Sequence, residues 1–202
     1  GRTNMVERKR NMPRLKLLIP SELSTEQKLT YDALTSGPRG ANMKSDTGSL
    51  GGPFNAMLHA PNIGIALQEL GARLRFGTSV PRNLLELAII TIGAHWEAQY
   101  EFWAHARMAI EAGVEPHVVE SIRNGDEPVL TGDEQTVYIF CSQVIHEHRA
   151  SDDAYESAIA LLGEQGVMEI TTLIGYYSAI SFVLNVFEIP VPDGEIAPFQ
   201  RD

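Results

Sequence analysis

Apolar residues recur along this chain at helical spacing, with no sustained alternation of the kind that marks a strand. The first segment begins at Ser24. Ser24-Thr25-Glu26-Gln27 has the form of a capping box, a hydroxyl and a returning polar side chain that satisfy a helix's first free amides. This helix is expected to end near Gly37-Pro38. Residues 37–53 are rich in Gly, Ser and Asp and close on Gly51-Gly52-Pro53. They predict a loop long enough to serve as a lid. Pro61 suits the first turn of a helix, where a missing N–H costs nothing. Its expected apolar face is Ile65, Leu67, Leu70 and Leu74, and Gly77 stops it.

Pro81 opens the next helix. Leu84, Leu85, Leu87, Ala88, Ile89, Ile90 and Ile92 leave it apolar on every face, as in the buried centre of a bundle. Its β-branched content could suit a strand, but its length and lack of period-2 alternation favour a helix. A mixed polar and aromatic stretch follows, predicting a helix from about Glu97 to Ala112 and then Gly113. A short helix spans Pro116 to Asn124. Thr131-Gly132-Asp133-Glu134 reads as another capping box, heading a helix with Val137, Phe140, Cys141, Val144 and Ile145. Ser151 caps a helix holding Ala158, Leu161 and Leu162, and a long apolar helix runs from about Val167 to Phe187. The pattern gives an all-α array of seven or eight helices without an internal repeat. Its expected divisions are a basic N-terminal arm over 1–22, one domain over 23–189 and a tail over 190–202 that wraps a neighbouring subunit.

The composition narrows the function classes. A chain of 202 residues, 44% hydrophobic, can bury one sizeable core. A net charge of -10 disfavours nucleic acid and anionic membrane surfaces as partners. No stretch approaches ~20 uninterrupted apolar residues, so no membrane span is expected. The single cysteine, Cys141, fits a reducing, cytoplasmic setting and reads as an inert core residue. The N-terminus lacks the apolar core of a signal peptide, and Gly1 to Asn4 ahead of Met5 read as a tag remnant. Arg8, Lys9, Arg10, Arg14 and Lys16 read as a solvated basic arm.

The candidate chemistry lies between residues 86 and 105. Glu86 sits inside the apolar helix, where an isolated charge is costly. It either bonds a neighbouring helix end or is a site carboxylate with a raised pKa. In His95-Trp96-Glu97-Ala98-Gln99-Tyr100-Glu101-Phe102-Trp103-Ala104-His105, the residues Glu97, Glu101 and His105 are spaced i, i+4, i+8 and form one helical stripe. A carboxylate beside an imidazole raises its pKa, giving a proton donor and acceptor near neutral pH. The plainer reading is an ion pair on a solvated face. Trp96, Tyr100, Phe102 and Trp103 argue against it, because so many rings must pack or line a cavity. A metal held by His105 and Glu101, with His95 or Glu86, does not match the His-Glu-x-x-His zinc pattern, and no metal is expected. Gly52-Pro53-Phe54-Asn55 and His59 precede a helix and form either an anion-binding turn or a plain one. Tyr176, Tyr177 and Asn185 lie on the last apolar helix, where Asn185 needs a partner.

The run from Pro81 to Gly113 resembles the carboxymuconolactone decarboxylase and alkylhydroperoxidase D-like superfamily, over roughly residues 50–125. In the peroxidase branch the pattern is Glu, then Cys-x-His-Cys, then His. Laid on this chain, Glu86 takes the place of the Glu and Ala98 and Glu101 those of the cysteines. Tyr100 takes the place of the middle His and His105 that of the last. Without the cysteine pair, thiol peroxidase chemistry is excluded at this position. The decarboxylase branch carries Glu and His at the places of Glu101 and His105, and a His where this chain has Tyr100. The resemblance implies an alkylhydroperoxidase D-like fold, a homo-oligomer (trimer or hexamer) with pockets near its interfaces, and no cofactor or metal. It points to a lyase acting on a small carboxylated lactone or related enolisable acid. The expected catalytic residues are His105, Glu101 and Glu86. The expected substrate contacts are Tyr100, Gln99, Trp96, His95, Phe54 and Asn55. A non-catalytic small-molecule-binding oligomer and a related isomerase or hydrolase are the alternatives.

Overall fold

A computed structural model describes residues 13–38, 40 and 43–201. Residues 1–12, with Arg8, Lys9, Arg10 and the tag remnant read at 1–4, lie outside the described residues. The described residues form eight α-helices and no strand, beyond an isolated bridge between Lys44 and Leu50. The helices are α1 (Thr25–Ser36), α2 (Phe54–His59), α3 (Pro61–Phe76), α4 (Arg82–His95), α5 (Gln99–Glu111), α6 (Pro116–Asn124), α7 (Gly132–Glu147) and α8 (Asp152–Val186).

Local chemistry sets most of these boundaries. At Ser24 the capping box forms as its sequence predicts: Ser24 Oγ accepts from the Gln27 amide, and Gln27 Oε1 accepts from the Ser24 amide. Ser151 Oγ accepts from the Ala154 amide. Thr131 precedes α7, but its side chain makes no cap bond. Gly163, at φ 70°, breaks α8 into the two helices expected on either side of it. The short helix α2 was not predicted; its Pro53-Phe54-Asn55 start reads in sequence as a turn.

The centre of the array is α4, with every residue from Leu84 to Gly93 buried. It packs against α5, α7 and α8. The expected face of α3 is corrected. Ile65 and Leu70 are exposed, and the buried positions are Gly64, Gly71 and Leu74. A side chain at Gly64 would meet the Met57 carbonyl oxygen at 2.2 Å, and one at Gly71 the Tyr176 hydroxyl at 2.2 Å. The helix therefore docks on its glycines and Leu74, with Ile63, Ile65 and Leu70 turned outward.

Both ends of the chain are tied to its body. The described basic residues of the N-terminal arm, Arg14 and Lys16, are exposed, as expected, but the segment is tied to the domain. The Arg14 amide donates to Phe187 O, its guanidinium pairs with Glu188, and the Leu18 amide donates to Asn55 Oδ1. The tail folds back on its own chain. Phe199 is buried against Phe102 at 5.2 Å, Arg201 donates to Glu97 O and Asn185 Oδ1, and Arg123 donates to Pro198 O. Among the described helices α8 alone is long and apolar enough to cross a membrane, and half of that apolar window is buried inside the protein, as in a core helix.

Candidate acid–base site

The turn between α4 and α5 decides which polar residues meet. Glu97 adopts φ 49°, and the Ala98 amide reaches back to Gly93 O at 2.9 Å. The helix α5 therefore starts at Gln99, and Glu97 falls outside the expected stripe. Glu101 and His105 remain one turn apart on α5, facing Glu86 on α4. All three are buried, at 4%, 5% and 1% exposure.

The imidazole of His105 lies between two carboxylates. Nδ1 is 2.6 Å from Glu86 Oε2, and Nε2 is 2.9 Å from Glu101 Oε1. Both neighbours can only accept when ionised, so the doubly protonated ring satisfies both contacts. Burial alone would lower the His105 pKa. The hydrogen bonds to Glu101 and Glu86, and their charges, outweigh it and raise the value to about 9. The raised pKa considered for Glu86 is corrected. Burial pushes its carboxyl up, but His105, then Arg82 and Arg75, hold it below the usual carboxylate range. Its other oxygen, Oε1, pairs with Arg82 at 3.1 Å. Both oxygens are thus engaged, and Glu86 orients His105 from behind.

Glu101 and His105 open onto a cavity of about 340 Å³; Glu86 is not among its lining residues. Tyr100 and Phe54 line the cavity too. The Tyr100 ring packs over Gly52, where a Cβ would come within 2.4 Å of it, and burial raises its hydroxyl pKa to about 12. The described lid segments contribute Pro38, Met43 and Pro53.

Four expected substrate contacts point elsewhere. Gln99 spends its amide on the tail, Oε1 accepting from the Phe199 amide at 2.9 Å and Nε2 donating to Phe199 O at 2.5 Å. The Trp96 indole donates to Ser178 Oγ and packs edge-on against Phe182. His95 stacks edge-on against Trp96 and His146. Asn55 holds the N-terminal segment by bonds to Leu18 and Lys16, and lines a second cavity instead. Asn185 satisfies the α4–α5 turn by donating to Trp96 O. The Cys141 thiol is wholly buried, and burial pushes its pKa to about 12.

Sequence reasoning left three residues of this wall out of the expected site. Tyr177 presents its ring edge to His105 with centroids 5.4 Å apart, and burial, then Glu101, holds its hydroxyl well above the usual range. Arg75 and Met108 also line the cavity. The apolar-helix pattern brings Tyr177 to notice with Tyr176 and Asn185 but gives its ring no role at the site. Arg75, at the end of α3, reads as an ordinary C-terminal cation.

No family model and no curated protein matches the sequence. Among solved structures, the chain is similar to a protein of unknown function from Agrobacterium tumefaciens, described as an antioxidant defence protein of the AhpD type. That match covers 70% of this chain and 98% of the other, with a TM-score of 0.60 at 17% identity. The all-helical architecture and this likeness together give the chain the alkylhydroperoxidase D-like fold.

Proposed function

We propose that this protein is a cofactor-free lyase that removes carbon dioxide from a small carboxylated lactone or related enolisable acid. The observation that carries this reading is a buried imidazolium held between two carboxylates at the wall of a cavity. Loss of carbon dioxide leaves the bonding electron pair on the substrate as an enolate, and its carbon must then take a proton. Glu101 and His105 act together as the donor. Nε2–H lies on Glu101 and Glu101 faces the cavity, so the proton passed to carbon comes from the imidazolium through Glu101, leaving a neutral imidazole that regains a proton from solvent. Glu86 is a positioning residue that fixes the ring's orientation and charge. Tyr100, Tyr177 and Phe54 exclude water, which strengthens these charge interactions.

The test is carbon dioxide release, with incorporation of solvent deuterium at the product carbon, across a panel of lactone and keto acids. His105→Asn and Glu101→Gln should abolish both signals while retaining a cooperative melt. Full turnover in both variants would reject the assignment. Ligand binding without turnover by the wild type would favour the binding-protein alternative. Assembly into a homo-oligomer belongs to the same proposal. The outward apolar side chains Ile63, Ile65 and Phe76 on α3 and Met168 on α8 support it, and light scattering in solution tests it.

A further inference from the structure

The cavity contains a cation that the proton-transfer step does not use. Arg75 lines it from the last turn of α3. Its Nε is buried with no hydrogen-bond partner, and one Nη donates to the Met108 thioether, a weak acceptor, at 3.1 Å. The Phe76 ring supports the guanidinium at 4.9 Å without satisfying any donor. Nearby carboxylates are already engaged: Glu86 holds Arg82 and His105, and Glu101 holds His105. Arg75 is half-buried, and its buried Nε is left without a partner unless an incoming acceptor completes it.

A second cavity of about 290 Å³ adjoins the first, and Met43, Phe54 and Tyr100 line both. The lining of the second includes the apolar residues Leu15, Leu17, Leu50, Ile189 and Pro190. Its lining cation, Lys44, is exposed and lies over the Tyr31 ring at 5.7 Å. Arg75 lines only the first cavity, and these five apolar residues only the second.

We propose that the two cavities take one ligand, an apolar carboxylic acid. The fork of Arg75 grips a carboxylate of the ligand, and the apolar body runs past Tyr100 into the second cavity. The carboxylate is a handle that places the remaining carbons over Glu101. The inference rests on reading the first cavity as the site, and it requires binding only, not turnover.

Calorimetric titration of the full chain with unreactive saturated acids, from butanoate to decanoate, and with the matching alcohols tests it. Decanoate should bind at least about tenfold more tightly than decanol, the effect of one charge-assisted contact. Arg75→Met keeps the bulk of the stem and should erase that preference while leaving decanol affinity unchanged. Leu17, half exposed in the second cavity's wall, tolerates a charge. Leu17→Asp should weaken decanoate about tenfold and leave butanoate unaffected. His105→Asn should still bind decanoate, which separates failure of the proposed reaction from failure of this ligand class. Equal binding of acid and alcohol by the wild type would overturn the inference. So would an acid preference that survives Arg75→Met in a protein that melts normally, or decanoate binding indifferent to Leu17→Asp.

Discussion

Replacing Glu86 by glutamine removes one of the two charges that hold His105 protonated, and the consequence can be worked out as a pH dependence of stability. In the folded protein the imidazole titrates at about 9, against 6.5 for an ordinary histidine. Each unit of difference corresponds to about 1.4 kcal/mol, so the linkage is on the order of 3 kcal/mol. The sign follows from the direction. A value raised by folding contributes stability that is complete below 6.5 and is lost as the pH climbs to about 9, because the unfolded chain releases its proton first. Glu86 acts at the other end of the scale. Its lowered pKa contributes stability above the ordinary 4.5, lost on acidification.

In Glu86→Gln the amide oxygen can still accept from Nδ1, but its charge is gone. Burial then opposes Glu101 alone, the imidazole pKa falls toward its ordinary value, and roughly half of the alkaline-side loss, about 1–2 kcal/mol, disappears. Arg82 loses its partner, but its side chain is 43% exposed and water takes over much of that role. The assay is urea unfolding at about pH 6 and about pH 9 for both proteins, with an NMR titration of the His105 ring. Comparison with the variant cancels the other titrating groups. A wild-type ring that titrates near 6.5, or identical pH profiles for the two proteins, would refute the reasoning.

Three further outcomes follow from packing. Phe199→Ala should destabilise the protein by about 3 kcal/mol in a urea melt, since the ring is buried against Phe102 and its backbone is tied to Gln99; an unchanged midpoint would show that the tail is not docked. Gly64→Ala should cost about 2 kcal/mol or more, because the new Cβ meets the Met57 carbonyl rather than a yielding side chain. The same melt reads it. Cys141 should resist a thiol reagent in the native protein and react on unfolding, given its burial and raised pKa; rapid labelling under native conditions would contradict its placement.

Where the sequence was legible, the reason is that one local rule acted without competition. Ser24 and Ser151 announce their helices because a cap is decided within four residues. The run from Leu84 to Ile92 announces a central helix because an all-round apolar segment can only be buried. The pairing of Glu101 with His105 follows from helical spacing alone. Where legibility failed, a nonlocal contact outweighed the local pattern. Nothing within α3 tells that Gly64 and Gly71, rather than Ile65 and Leu70, face inward; that depends on Met57 and on Tyr176. Gln99 looks like a site residue until the tail, a hundred positions away, occupies both ends of its amide. Glu86 shows the two regimes together. Its burial is evident from its neighbours in sequence, and burial alone argues for a neutral acid. The opposite outcome arises because α5 brings an imidazole to one oxygen while Arg82, one turn away on the same helix, covers the other. A buried carboxylate thus signals a site in the sequence, but its protonation state is set by the partners that folding delivers, here two cations for one charge.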